Sequence, residues 1–180
     1  MYLNKNSIYF WGVAILFLFS CESDDVCDGS IPTTPSLVIE MYDATNTSTL
    51  KSSTNLKITE VGNPNALLID NNILINATKY KIPLKSNTNT VVYEFASNAN
   101  TINGVVNPAI NKDIITFNYT TKDVYISRAC GYKTTYQIGE FNYATNVTDF
   151  TGENSKWIKN VQLLTKTIDH ETQVHLKIFF

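Results

Sequence analysis

Short runs of alternating apolar and polar residues recur along most of this sequence. In residues 36–42 the apolar positions include Leu37, Ile39 and Met41, which share one parity. A β-strand places residues i, i+2 and i+4 on the same face, so such a run predicts a half-buried strand. Beyond the first twenty residues no stretch sustains the 3.6-residue period of a helix. The chain is therefore predicted to be all-β.

The same pattern predicts further inward-facing sets. They are Leu56 and Ile58; Tyr80, Ile82 and Leu84; Val91, Tyr93 and Phe95; Ile115, Phe117 and Tyr119; Val124 and Ile126; Tyr136 and Ile138; Trp157, Val161 and Leu163; and Val174, Leu176, Ile178 and Phe180. Pro83 argues that its strand lies at a sheet edge, because proline cannot donate to a ladder.

Clusters of Asn, Asp and Gly separate these runs, for example at 62–65 and 86–89. Asn and Asp favour turns because their side chains bond to the local backbone and tolerate positive φ. Short strands at this spacing predict a single antiparallel β-sandwich, Ig-like or Greek-key, over residues 36–180. Residues 98–112 are predicted to form the longest loop.

Composition limits the functional class. The 180 residues are 43% hydrophobic and 17% charged, with a formal net charge of −2. That apolar content is too high for a disordered chain. The absence of a basic excess argues against a nucleic-acid partner.

The N-terminus is typical of an export signal. Lys5 precedes an apolar run over residues 8–19, which is too short to span a bilayer as a helix. The run ends in Leu18-Phe19-Ser20-Cys21, which resembles the lipobox of bacterial lipoproteins. Residues 1–20 are thus predicted to be a lipoprotein signal peptide, with Cys21 as the acylated residue. The alternatives are an ordinary secretory signal and an uncleaved membrane helix.

The residues that follow Cys21 are acidic and include Glu22, Asp24 and Asp25. A cluster at this position resembles the surface-export signal of Bacteroidetes lipoproteins, although charged residues also make a well-solvated tether. Residues 21–35 are predicted to form the lipidated end and tether. The expected location is the outer membrane or cell surface, anchored by lipid.

Two cysteines remain once Cys21 is acylated. Cys27 and Cys130 form an even pair in an exported chain, which favours a disulfide. Two free buried thiols are the alternative. A catalytic cysteine is less favoured, because no histidine is near Cys130 in sequence.

Several segments spread over residues 27–180 form a recognisable set: Cys27 with Pro32 and Pro35, Leu37 to Asp43, Ile82-Pro83-Leu84, Phe117-Asn118-Tyr119, Ser127 to Tyr132, Trp157-Ile158 and His175 to Ile178. Together they resemble domain-of-unknown-function family 6452, a family of Bacteroidetes lipoproteins. The segment Ala129-Cys130-Gly131-Tyr132 is the most specific. The resemblance implies a lipoprotein with paired cysteines and implies no activity.

Candidate metal and catalytic residues are few. His170 and His175 are five apart, which puts them on opposite faces of an extended segment, and His175 is expected to face solvent. Asp24, Asp25 and Asp28 lack the regular spacing of a calcium loop. No phosphate loop, nucleophile elbow or zinc-protease motif occurs. The sequence thus predicts neither a metal nor a cofactor.

Tyrosines are the remaining candidates for ligand contact. Aromatic rings on a sandwich face can stack on sugars, and Tyr42, Tyr80, Tyr125 and Tyr143 are the candidates. Core or cross-strand packing is the commoner use of such residues.

The sequence favours a non-enzymatic, lipid-anchored envelope protein that serves as a binding or structural module. Its expected partners are the membrane, through the N-terminal lipid, and another envelope protein or a glycan. One alternative is a carbohydrate-active or other hydrolase built on the sandwich. Another is a small eight-stranded outer-membrane β-barrel, although many strands look shorter than the 9–11 residues that spanning requires.

Overall fold

A computed structural model describes residues 26–27, 29, 33–139, 145–149 and 156–180. The predictions for residues 1–25, Asp28 and Tyr143 lie outside these ranges. The chain divides into two compact units. One contains the described residues up to Gly29 together with Tyr125–Tyr132, and the other contains the described parts of Pro32–Val124 and Lys133–Phe180.

The regular structure in the described ranges is entirely β. The strands are β1 (Leu37–Tyr42), β2 (Lys57–Glu60), β3 (Lys79–Ile82), β4 (Thr90–Ser97), β5 (Thr101–Ile102), β6 (Val105–Val106), β7 (Asn111–Ser127), β8 (Gly131–Ile138), β9 (Thr145–Asp149), β10 (Asn160–Leu163), β11 (Thr167–Ile168) and β12 (Leu176–Phe179). No helix in the described part of the chain is long and apolar enough to cross a membrane.

One sheet has four strands in the order β10-β12-β1-β3. β1 runs antiparallel to β3, with Leu37 opposite Ile82, and parallel to β12, with Ile39 opposite Leu176. The parallel pair departs from the purely antiparallel arrangement that the sequence predicts. β3 is an edge strand, and Pro83 directly follows it, as its missing N–H group requires.

A second sheet has six strands in the order β11-β8-β7-β4-β2, and β9 also pairs with β7. β4 pairs along the first half of β7, with Tyr93 opposite Ile115. β7 is 17 residues long, so the two predicted runs around Phe117 and Val124 form one continuous strand.

Apolar side chains from both sheets form one core. Its members include Leu37, Ile39, Met41, Leu56, Ile58, Tyr80, Ile82, Val91, Tyr93, Phe95, Ile115, Phe117, Tyr119, Tyr136, Ile138, Leu176 and Ile178. These are positions that the period-two pattern predicts to face inward. The prediction is wrong for Val124, Ile126 and Val174, which are not among the core residues. Because β7 is one continuous strand, even-numbered Val124 has the opposite parity to Phe117 and Tyr119. Neither sheet closes on itself in the described residues, and the all-β sandwich prediction is confirmed.

Three tyrosine hydroxyls connect the six-stranded sheet to the segment after β3. Tyr93 donates to the carbonyl of Pro83 at 2.9 Å, and Tyr136 donates to that of Leu84 at 3.0 Å. Tyr119 donates to the carbonyl of Lys85 at 3.0 Å and accepts its N–H at 3.1 Å. Burial raises the pKa of Tyr93 and of Tyr136, so the donating form is favoured.

The prediction that residues 98–112 form a loop is wrong. This segment contains the β5–β6 hairpin, in which Thr101 pairs with Val106 and Ile102 with Val105. Its turn is Asn103-Gly104, and both residues have positive φ, 51° and 79°. Asn-Gly suits such a two-residue turn because both residues tolerate that conformation.

The expectation that His175 faces solvent is also wrong, because its side chain is completely buried. Val38 donates its N–H to Nδ1 of His175 at 2.9 Å, and the N–H of His175 donates to the carbonyl of Val38 at 3.0 Å. The imidazole therefore takes the place of a backbone acceptor beside the β1–β12 ladder.

Candidate functional site

A polar groove lies on the six-stranded sheet where β7, β8 and β11 meet. It has a volume of about 520 Å³. Successive residues of a strand face opposite sides, so alternate positions of β7 and β8 supply most of its walls. The lining residues are Thr120, Lys122, Val124, Lys133, Thr135, Tyr136, Gln137, Thr167 and Asp169.

Hydrogen bonds fix several of the lining side chains. Thr135 Oγ1 donates to the carbonyl of Lys122 at 3.1 Å, and Thr167 Oγ1 donates to Oε1 of Gln137 at 2.9 Å. Lys133 Nζ donates to the carbonyl of Asp169 at 3.0 Å. The groove is therefore shaped partly by its own polar contacts.

The groove's chemistry is that of hydrogen bonding and weak positive charge. It presents hydroxyl and amide groups, two ammonium groups from Lys122 and Lys133, and one carboxylate from Asp169. The ring of Tyr136 is only 2% exposed, so it offers no stacking surface. Such a lining suits a polar ligand that accepts hydrogen bonds, including one that carries negative charge.

Two of the tyrosines predicted to stack on a ligand are already engaged. Tyr80 is buried, and its hydroxyl lies 3.2 Å from the sulfur of Met41, so it cannot stack on a ligand. The ring of Tyr42 lies 5.6 Å from that of Phe179, and Lys177 Nζ lies 4.4 Å from its centroid. The position of both residues in the four-stranded sheet explains these contacts.

Tyr125 is exposed, at 57%, and it pairs with Tyr132, which is 70% exposed. Their ring centroids are 5.3 Å apart at an interplanar angle of 66°. The two residues flank the turn between β7 and β8. The sequence pattern does not predict Tyr132 as a contact residue, although it lies in the Ala-Cys-Gly-Tyr segment.

The same turn carries a disulfide. Cys27 and Cys130 are bonded, with their Cα atoms 4.8 Å apart and a sequence separation of 103. Ser127 Oγ accepts the N–H of Cys130 at 3.0 Å, and Gly131 has a φ of 68°. The tether residue Cys27 is thereby linked to the β7–β8 turn.

The two histidines do not converge on a metal site. His170 lies in the turn before β12, with Nδ1 2.9 Å from Thr172 Oγ1 and Nε2 3.6 Å from Asp169 Oδ1. His175 is buried against Val38. In the described ranges no three His, Cys, Asp or Glu side chains are grouped for metal binding.

The groove itself is not among the sites that the sequence predicts. Its residues share one parity on each side of a single turn: Thr120, Lys122 and Val124 before it, and Lys133, Thr135 and Gln137 after it. The polar residues that alternate with the buried positions of β7 and β8, considered on both strands together, indicate this polar surface. The inward parity alone identifies only the core.

Comparison with known proteins places the chain in a family. No curated protein and no solved structure matches it. The model of a family of unknown function, DUF6452, matches residues 55–180. The matched region includes the Ala-Cys-Gly-Tyr segment. It does not reach Cys27 and β1, whereas the resemblance described from the sequence begins at Cys27. The chain therefore belongs to the DUF6452 family of unknown function.

Proposed function

We propose that this protein is a non-enzymatic envelope protein, anchored by acyl chains on Cys21, that uses the groove between β7, β8 and β11 to bind a polar partner at the outer membrane or cell surface. The partner is another envelope protein or a glycan.

The disulfide is the observation that carries the proposal. Structural disulfides persist in oxidising compartments and are rare in reducing ones, so the Cys27–Cys130 bond supports export. Cys27 lies six residues after Cys21, and the lipobox-like sequence ends at Cys21. Export and acylation together account for all three cysteines.

The groove supports the binding role. Its donors are displayed on paired strands rather than on a long loop, so their spacing is set by the sheet. Sugar hydroxyls and backbone carbonyls both accept hydrogen bonds from ammonium and amide groups, whereas Thr135 and Thr167 already donate their hydroxyl hydrogens inside the groove.

The anchor is tested by mass spectrometry of the purified N-terminus and by membrane fractionation. The wild type is expected to begin at Cys21 with acyl chains attached and to sediment with membranes. Cys21→Ala is expected to be folded and to leave the membrane fraction. An unmodified Cys21 with the leader still present would contradict the anchor.

The binding role is tested by cross-linking and pull-down from solubilised envelope with the tagged, acylated protein. Lys122→Glu reverses an exposed charge in the groove and is expected to reduce recovery of the partner by tenfold or more. Lys159→Glu makes the same charge change outside the groove, so it is the matched control. Equal recovery with both variants would contradict a role for the groove.

A further inference from the structure

The β7–β8 turn is flanked by an exposed pair of aromatic rings that the groove does not use. Tyr125 and Tyr132 are 57% and 70% exposed, and Val26 is 81% exposed. Arg128, at the tip of the same turn, is also exposed. These residues and the disulfide belong to the same compact unit. We call the four residues Val26, Tyr125, Arg128 and Tyr132 the tyrosine tip.

The disulfide limits how far the tyrosine tip can lie from the proposed acyl chains. An extended chain spans at most about 3.6 Å per residue, so six residues from Cys21 to Cys27 reach no more than about 22 Å. The Cα of Cys130 is only 4.8 Å from that of Cys27. Tyr132 follows two residues later, so its Cα lies no more than about 34 Å from that of Cys21, within reach of the membrane that would hold the acyl chains.

The chemistry of the tip fits a lipid interface. Tyrosine is enriched where membrane meets water, because its ring is apolar and its hydroxyl stays hydrated. A guanidinium such as that of Arg128 suits lipid phosphates. The tilted pairing of the rings leaves no flat two-ring platform for a sugar. Carboxylates are costly to remove from water, so contact with lipid falls to the tyrosines and Val26 rather than to the acidic residues after Cys21.

From the exposed tyrosines and the short span to Cys21 we infer that the tyrosine tip docks in the headgroup region of the membrane that holds the acyl chains. The inference rests on the proposed lipid anchor. A second contact with the membrane, beside the acyl chains, restricts the rotation of the compact unit that contains the tyrosine tip.

Tryptophan fluorescence in vesicles tests this contact. Tyr132→Trp is made in the acylated protein and reconstituted into phosphatidylcholine vesicles with or without lipids brominated near the top of the acyl chains. Its emission, after subtraction of the parent's Trp157 signal, is expected to shift to shorter wavelength and to fall at least twofold with brominated lipid. Tyr125→Trp is a second reporter in case the first variant does not fold.

The matched control is Val105→Trp, which places the reporter at a residue that is 68% exposed in the β5–β6 hairpin. It is expected to show little quenching. Quenching of the tip reporters no greater than that of the control, in protein that floats with the vesicles, would overturn the docking inference alone. Protein that lacks acyl chains by mass spectrometry and does not float would overturn the proposed anchor, and the inference with it.

Discussion

His175 shows how a single ring can complete a sheet. Its Nδ1 accepts the N–H of Val38, so that atom must be unprotonated in the folded protein. Burial lowers the pKa of His175, and charge on His170 acts in the same direction. The carbonyl of His170 and the carboxylates of Asp169 and Glu171 oppose this shift without cancelling it.

This contact predicts a pH-dependent stability. In the unfolded chain the histidine takes up a proton near pH 6.5, whereas the folded protein resists protonation to a lower pH. The free energy of unfolding should therefore fall as the pH drops below about 6.5, towards the lowered pKa of the folded state. Urea unfolding at pH 7.5, 6.5 and 5.5 measures this loss.

Two glutamine variants identify the group responsible. His175→Gln cannot titrate and should flatten the dependence between pH 7.5 and 5.5. His170→Gln alters the exposed histidine and should keep most of it. A pH dependence in His175→Gln as steep as that of the wild type would contradict the assignment.

At the scale of elements, the two sheets are joined by tyrosine hydroxyls as well as by apolar packing. Tyr136 lies on β8 with its ring edge-to-face against Tyr119, at a centroid distance of 5.4 Å. Its hydroxyl bonds to the carbonyl of Leu84 in the segment after β3. This contact holds the segment that follows the edge strand β3 against the six-stranded sheet.

Removing that hydroxyl should destabilise the fold. Tyr136→Phe leaves the buried carbonyl of Leu84 without this donor, at a cost of about 1–3 kcal/mol in the free energy of unfolding. Tyr132→Phe removes an exposed hydroxyl from the neighbouring end of the same strand and should change stability by less than about 0.5 kcal/mol. Chemical denaturation of both variants at one pH makes the comparison. Equal stabilities would argue against the hydrogen bond.

Sequence patterns predict some elements better than others, for physical reasons. Ile115, Phe117 and Tyr119 are buried on one face of β7, and their two-residue spacing in the sequence predicts this burial directly. The β5–β6 hairpin has exposed strands, so no burial pattern marks it, and only Asn103-Gly104 signals the turn. The burial of His175 depends on its hydrogen bond with Val38, which is 137 residues away, and a local sequence pattern cannot reveal such a contact. The groove is likewise a product of strand pairing.

At the scale of the whole molecule, the disulfide closes a loop that contains β1 through β7. Such a bond stabilises mainly by restricting the unfolded chain, and loops of this length gain up to about 4.7 kcal/mol in the chain-entropy model. The sequence predicts the pair from cysteine number and export. Family 6452 membership, also predicted from the sequence, is confirmed for residues 55–180.

Replacing both partners tests this contribution. Cys27→Ser with Cys130→Ser should lower the free energy of unfolding by as much as about 4.7 kcal/mol, and the reduced wild type should behave like the double variant. Urea unfolding with and without reductant gives the comparison. Cys21→Ala should retain the full sensitivity to reductant. A wild-type midpoint unmoved by reductant would contradict this role.

The parallel pairing of β1 with β12 has a consequence for biosynthesis. β1 precedes β3 closely in the chain and can join it early in folding, but the other neighbour of β1 begins only at Leu176. Before β12 pairs with it, one edge of β1 has unpaired N–H and C=O groups that can bond to another strand. A chain that emerges from its N-terminus is thus exposed to mispairing until β12 follows, and a holding chaperone would have its greatest effect during that interval.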